Sequence, residues 1–304
     1  MERLSWTHIP AKWGGVLFSM PDLLSPSEYF HQKKSRPRKH LGQHFLAQPA
    51  TALRIVQSAE LRDADAIVEI GPGLGALTRF ILPEVSRLHL IEVDGEMVEY
   101  LRERVQAEKA VIYQQDALSF DFVDLCNRER KRLFVLGNLP YNISSPLMFH
   151  LLESFPAIER AVFMVQKEVG MRFAAAPGTK DYGVLTVLLG IYSRVRILFT
   201  VGPGQFYPPP KIDSVVLRID FANERPAGSD FDFERKLVSK AFQQRRKTLA
   251  NSLTGAMGLS SGAIKDACEQ AAIDPKRRPE TLSAHEFLSL AGLVRRQTPT
   301  GNRL

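Results

Sequence analysis

A glycine-rich loop between a short apolar segment and a helical segment is the feature that most constrains the fold of this chain. Ala66–Ile70 (AIVEI) predicts a buried strand, and the loop Gly71-Pro-Gly73-Leu-Gly75 follows it directly. A helical pattern begins at about Leu74. Glycine lets the backbone approach a ligand closely, and the N-terminus of a helix can face a negative group. This order predicts the first strand of a parallel α/β sheet with a ligand at its carboxyl edge.

The alternation of strand and helix continues along the chain. Later apolar segments predict further strands, at residues 88–93, 111–114, 133–137, 161–166, 195–200 and 215–221. Strands that alternate with helices are typical of a parallel sheet covered on both faces. We therefore predict a Rossmann-like α/β sheet with helices on both of its faces.

Changes in composition divide the chain into three parts. Residues 1–36 lack sustained periodicity and end in a basic run, so they predict a flexible extension, either a tail without function or an arm that contacts RNA. Residues 37–222 contain the sheet pattern. The segment ANERPAGSD at 222–230 reads as a linker, and residues 231–297 predict a small all-α domain because their pattern is helical throughout.

Charge and cysteine content limit the partners and the cellular compartment. A formal net charge of +7 favours a polyanionic partner. Cys126 and Cys268 lie in unrelated contexts, which argues against a disulfide framework or a cysteine-based zinc site. We expect a cytoplasmic protein without a metal. We also expect no membrane partner, because no apolar run approaches the roughly 18–20 residues of a membrane span.

Two carboxylates follow the predicted second and third strands. Glu92 could accept hydrogen bonds from both hydroxyls of a ribose, and Asp116 could accept one from an adenine amine. The loop alone also fits the dinucleotide pattern Gly71-x-Gly73-x-x-Ala76, which leaves a nicotinamide or flavin cofactor and a purely structural turn open. Together, the loop and the two acids favour S-adenosylmethionine over a dinucleotide.

The segment Asn138-Leu139-Pro140-Tyr141 follows the predicted fourth strand and indicates the reaction. An aromatic amine is a poor nucleophile because its lone pair is delocalised into the ring. The side-chain oxygen of Asn138 and a carbonyl near Leu139 could accept its two N–H groups and aim the lone pair at a sulfonium methyl, while Pro140 fixes the turn. Tyr141 could stack on the target base, a contact worth about 1–3 kcal/mol. The alternative interpretation is a strand-end turn with a core tyrosine.

Three groups of motifs together resemble one family, the bacterial small-subunit ribosomal RNA adenine dimethyltransferases or KsgA family. They are GQHFL with VEIGPGLGALT, QQDAL with GNLPYNISSPLMFHLL, and FYPPPKIDSVV with AFQQRRKTLANSL. The resemblance covers about residues 38–293 and implies a class I methyltransferase sheet. It implies that S-adenosylmethionine is bound by His44, Leu46, Gly71, Glu92, Asp116 and Asn138. It implies a catalytic set of Asn138, Leu139, Pro140, Tyr141 and Phe206, and RNA contacts from Arg245, Arg246 and Lys247.

The resemblance also implies a substrate. The expected reaction is N6,N6-dimethylation of two adjacent adenines in the 3′-terminal hairpin of small-subunit (16S) rRNA. The partner would be a pre-30S particle, bound by a monomer whose residues 37–222 bind the cofactor and whose residues 231–297 bind RNA. An erythromycin-resistance type methyltransferase of large-subunit rRNA and a mainly non-catalytic assembly factor are the alternatives. A nicotinamide oxidoreductase would leave the Asn138–Tyr141 turn unexplained.

Overall fold

The computed structural model describes residues 23–38, 42–62, 66–244, 246–255 and 258–298. The chain divides into two compact units. The first contains the residues up to 170 together with 196–221, and the second contains 171–195 together with the residues from 222 onward.

A seven-stranded sheet forms the first unit, in the order β4-β3-β2-β5-β6-β9-β7. Its strands are β2 (Ala66–Ile70), β3 (Leu88–Glu92), β4 (Ala110–Gln114), β5 (Leu133–Asn138), β6 (Ile158–Gln166), β7 (Ser193–Val201) and β9 (Ser214–Phe221). Strands β2 to β6 pair in parallel, whereas β9 is antiparallel to β6. Two short strands, β1 (Phe45–Leu46) and β8 (Phe206–Tyr207), pair separately and antiparallel.

Helices flank this sheet. They are α1 (Pro26–Gln32), α2 (Pro49–Ser58), α3 (Thr78–Ile81), α4 (Gly95–Arg102), α5 (Phe122–Glu129), α6 (Ser144–Glu153) and α7 (Lys167–Phe173), whose last residues belong to the second unit. Strands β2 and β3 are buried along their whole length, as continuous apolar segments predict. The predicted parallel α/β sheet is confirmed.

The helix expected from about Leu74 begins only at Thr78. Gly73 and Gly75 have φ values of +54° and +79°, which no α-helix contains, so the glycine loop occupies the first part of that segment. The backbone turns tightly here, because the Gly75 amide donates to the Pro72 carbonyl at 2.8 Å.

The N-terminal part of the described chain is ordered. The sequence predicts a flexible extension through residue 36, whereas α1 occupies Pro26–Gln32 with a capping box formed by Ser25 and Glu28. Tyr29 and Phe30 of this helix are buried in the core of the first unit. Residues 1–22 of the expected extension lie outside the described residues.

The second unit is helical. Its helices are α8 (Val184–Tyr192), α9 (Phe231–Phe242), α10 (Leu249–Leu253), α11 (Ser261–Gln270) and α12 (Ala284–Gln297). Residues 171–195 were expected in the sheet domain, but they are grouped here because α8 packs against α9 and α12. The predicted helical C-terminal region is confirmed. Among the described residues no helix combines the length and apolar character needed to cross a membrane.

Candidate active site

A cavity of about 250 Å³ lies in the first unit, where β2, β3 and β5 end. The carboxyl ends of parallel strands share one edge of a sheet, so the loops that follow them meet there. Nine of the predicted site residues line the cavity, namely His44, Leu46, Gly71, Glu92, Asp116, Asn138, Leu139, Pro140 and Tyr141.

The glycine loop forms one side of the cavity and needs its glycines. Gly71 and Gly73 have φ values of +64° and +54°, a region that residues with a Cβ rarely adopt. A Cβ on Gly73 would also lie 3.0 Å from the ring of Phe45. The loop therefore brings bare backbone to the cavity, with the Gly71 amide held by the Ile91 carbonyl at 2.9 Å.

Glu92 is the buried carboxylate at the end of β3. One of its oxygens accepts the Gly73 amide at 3.0 Å, and the other accepts the Asp94 amide at 2.9 Å. Burial raises the pKa of Glu92, and these backbone hydrogen bonds oppose the rise because they favour the charged form. A carboxylate has about four acceptor sites, so the two backbone donors leave capacity for ligand hydroxyls.

Asp116 follows β4 and is exposed at the cavity, where one of its oxygens accepts the Leu118 amide at 2.9 Å. The position of its carboxylate is therefore fixed by the turn that it caps. The glycine loop and the two acids, far apart in sequence, come together at one edge of the sheet as their positions at strand ends predict.

Asn138 ends β5, and its side chain is held in one orientation. The amide nitrogen donates to the His44 carbonyl at 2.9 Å, which leaves the amide oxygen as the end that can accept a ligand N–H. The turn that follows is fixed by its backbone. The Leu139 amide donates to the Met164 carbonyl at 3.1 Å, and the Pro140 carbonyl accepts the Ile143 amide and the Ser144 hydroxyl, both at 3.2 Å.

Tyr141 is half-buried and packs against His44. Their ring centroids lie 5.5 Å apart with an interplanar angle of 28°. His44 donates from Nδ1 to the Pro208 carbonyl at 2.8 Å, and the Tyr141 hydroxyl lies 3.3 Å from the Ser214 hydroxyl. Burial raises the pKa of Tyr141, so its phenol stays neutral at physiological pH. The His44 ring contacts the Asn138–Tyr141 turn, whereas its backbone carbonyl orients Asn138.

Glu69 is a site residue that the motifs did not single out. It lies in β2 and lines the cavity with its carboxyl group fully buried, and it accepts the Thr78 hydroxyl at 2.7 Å. Burial, with a smaller contribution from the charge of Glu92, raises its pKa to about 8. A carboxylate inside the otherwise apolar strand AIVEI was the signal that could have found it.

The remaining predicted residues lie elsewhere. Phe206 is only 5% exposed, pairs with Leu46 across β8 and β1, and is not among the described residues that line the cavity. Arg246 and Lys247 are exposed in the second unit, and Arg245 lies outside the described residues. The structure therefore brings the predicted cofactor-binding residues and the Asn138–Tyr141 turn to one cavity but does not bring Phe206 to the cavity wall.

Comparison with known proteins shows sequence similarity over most of the chain. Residues 34–295 match the family described as ribosomal RNA adenine dimethylase. The ribosomal RNA small subunit methyltransferase A of Syntrophotalea carbinolica is 46% identical over 85% of this chain and 97% of that protein. The protein with the same name from Pseudomonas aeruginosa is 43% identical over 84% of this chain and 94% of its own length.

Solved structures agree at the level of the fold. A dimethyladenosine transferase from Plasmodium falciparum superposes with a TM-score of 0.67 at 26% identity, over 81% of this chain and 96% of that one. The 23S rRNA methyltransferase ErmE gives a TM-score of 0.62 at 24% identity, over 83% of this chain and 99% of that one. At that identity ErmE is informative about the fold alone.

Proposed function

Because this chain belongs to the ribosomal RNA adenine dimethylase family, we propose that it transfers methyl groups from S-adenosylmethionine to the N6 atoms of two adjacent adenines in the 3′-terminal hairpin of 16S rRNA. The family membership agrees with the resemblance found in the sequence. The chain is an S-adenosylmethionine-dependent methyltransferase of rRNA. The observation that carries the proposed chemistry is the Asn138 amide, which is locked by the His44 carbonyl with its oxygen available to a substrate amine.

The cavity residues fit the cofactor. Glu92 keeps acceptor capacity for two ribose hydroxyls, and Asp116 offers a carboxylate for an adenine amine. The bare backbone of Gly71 and Gly73 admits a ligand at close range. When bound, S-adenosylmethionine supplies an electrophilic methyl group on a sulfonium.

The catalytic turn acts mainly by positioning. The oxygen of Asn138 accepts one N–H of the target amine, and a carbonyl near Leu139 accepts the other, so that the nitrogen lone pair is directed at the methyl group. Pro140 holds the turn, and the neutral ring of Tyr141, supported by His44, offers a face for the base to stack on. No strong base is required, because the amine becomes acidic only after it has been methylated.

For Phe206 we propose an indirect role. As a buried residue paired with Leu46, it supports the wall of the cavity instead of presenting its ring there. For the RNA, the target adenine has to leave its stack to reach the turn. Arg245, Arg246 and Lys247 would bind phosphates without reading sequence.

The biological setting is also proposed. The partner is a pre-30S particle, the enzyme acts as a monomer, and the compartment is the cytoplasm. The small-subunit relatives, at 46% and 43% identity, favour this substrate over large-subunit rRNA. A role in subunit assembly that does not depend on catalysis would compete with the proposal only if loss of methylation left subunit maturation intact.

The test is methyl transfer from labelled S-adenosylmethionine to small subunits that lack the modification, with mass analysis of the nucleosides. We expect the native protein to give dimethyladenosine and Asn138→Ala to lower kcat by about 10²–10³-fold, the loss typical of a missing electrostatic donor or acceptor. Asn127→Ala is the matched control, since Asn127 is exposed on α5. Equal rates for Asn138→Ala and the native protein would refute the assigned role. Transfer to large subunits alone would refute the proposed substrate.

A further inference from the structure

A segment upstream of the family match contributes to the cavity. The match begins at residue 34, whereas Leu24 and Pro26 line the cavity together with the glycine loop. From this geometry we infer that the segment formed by residues 23–32, including α1, is an additional wall of the cofactor cavity that raises the affinity for S-adenosylmethionine. This inference rests on the proposed function.

The wall is held in place by aromatic packing. Tyr29 and Phe30 are 2% and 5% exposed and pack in the core of the first unit. The rings of Tyr29 and Tyr100 pack edge to face, with their centroids 5.0 Å apart and an interplanar angle of 81°. The Tyr100 hydroxyl then accepts the backbone amide of Leu24 at 2.7 Å. A buried tyrosine of α4 therefore fixes the backbone of Leu24 at the cavity.

The same segment packs directly on the glycine loop. A Cβ built on Gly75 would lie 2.6 Å from a methyl carbon of Leu23, so this side chain fills the space that glycine leaves open. The guanidinium of Arg79, itself 1% exposed, donates to the Leu23 carbonyl. The wall and the glycine loop therefore share one packed interface.

A third set of contacts connects the segment to the loop that holds Glu92. The Tyr29 hydroxyl donates to the Glu96 carboxylate at 2.7 Å, and the Glu96 backbone amide donates to the Asp94 carboxylate at 3.1 Å. The Asp94 amide in turn donates to Glu92. The residue that would bind the ribose is thus linked to α1 through two acidic side chains, which gives the wall an influence on the binding groups as well as on the cavity volume.

An apolar wall shields a bound ligand from water, and the stabilisation scales with the apolar surface that is covered. Leu24→Ala removes part of this surface. We expect it to raise the Kd of S-adenosylhomocysteine about five- to tenfold. We expect Leu24→Met, which keeps an apolar side chain of similar volume, to bind within about twofold of the native protein.

The experiment is titration calorimetry of each full-length variant with S-adenosylhomocysteine, followed by steady-state kinetics with S-adenosylmethionine. Gln32→Ala is the matched control, since Gln32 is an exposed residue at the end of α1 in the same segment. If the segment acts as a wall of the cofactor cavity, Leu24→Ala should raise the KM for S-adenosylmethionine by the same factor as the Kd. The kcat and the KM for RNA should stay unchanged. Thermal unfolding of the ligand-free variants reports whether the fold is retained.

The outcomes separate this inference from the function on which it rests. If the native protein does not bind S-adenosylhomocysteine, the proposed function fails. If the native protein binds and Leu24→Ala binds equally tightly, the wall contributes nothing and the inference is overturned. An equal loss of affinity in Leu24→Ala and Leu24→Met would also overturn it, because an apolar wall tolerates methionine.

Discussion

The buried carboxyl group of Glu69, which accepts the Thr78 hydroxyl at 2.7 Å, should make the stability of the protein depend on pH. Burial raises its pKa from 4.5 to about 8. The folded protein therefore keeps the Glu69 proton at neutral pH, whereas the unfolded chain releases it above about pH 4.5. We predict that Glu69→Gln, which retains an acceptor for Thr78 but cannot ionise, removes this pH dependence.

The sign and size follow from proton linkage. Between pH 4.5 and about 8 the unfolded chain binds fewer protons at this position than the folded protein, so the free energy of unfolding of the native protein falls as pH rises. Over that interval, at about 1.36 kcal/mol per pH unit, the total is about 5 kcal/mol. The contribution of Glu69 is fully present below pH 4.5 and is lost as pH approaches 8.

The assay is urea unfolding of the ligand-free protein, followed by circular dichroism at intervals from about pH 5 to about pH 8.5. The stability of Glu69→Gln relative to the native protein should increase steadily with pH and level off above about 8. Glu108→Gln, at an exposed position, is the matched control and should show a constant difference. Parallel curves for the native protein and Glu69→Gln would refute the reasoning, since the buried carboxyl would then titrate as it does in the unfolded chain.

Three further predictions concern packing, cofactor binding and RNA binding. Gly137→Ala places a Cβ 2.6 Å from the Ile70 carbonyl, so it should destabilise the protein by about 2–3 kcal/mol, and an unchanged Tm would contradict the close contact of β2 and β5. Glu92→Gln places an amide nitrogen opposite one of the two backbone N–H groups that donate to Glu92, so calorimetry should give roughly tenfold weaker binding of S-adenosylhomocysteine. Native-like affinity would argue against a role of Glu92 in binding the ribose. Replacing Arg246 and Lys247 together by alanine should reduce the slope of log affinity for RNA against log salt by about 1.4–1.8, and an unaltered slope would place the phosphate contacts elsewhere.

Much of the candidate site could be predicted from the sequence because it lies at strand ends. Once β2, β3, β4 and β5 are recognised as parallel, the residues that follow them must lie along one edge. Glu92 and Asp116 needed no further information to be placed beside the glycine loop, and the motif at Asn138 added the chemistry. Periodicity and loop chemistry are local, and these predictions depended on local patterns.

Features that depend on contacts between residues far apart in the sequence were harder to predict. The segment of α8, VLTVLLGIY, is apolar on every side, so its period distinguishes neither a strand from a helix nor one unit from the other. The burial of Phe206 follows from the pairing of β8 with β1, which lies about 160 residues earlier. The sequence does contain a signal for α1, since Ser25 and Glu28 form a capping box. A helix of seven residues is too short to show a sustained apolar period, so the capping box alone did not predict it.

The discontinuous first unit has a consequence for how the protein is made. During synthesis the ribosome releases β2 to β6 first. The segment 171–195, which contains α8 and belongs to the second unit, follows, and the rest of β7 and β9 come only afterwards. Until β9 pairs with β6, the edge of β6 is an open template for other chains, a state prone to aggregation. Neither compact unit corresponds to a continuous gene fragment. Expression of residues up to 170 alone would therefore yield a sheet with an unprotected edge and a cavity that lacks its β8 support.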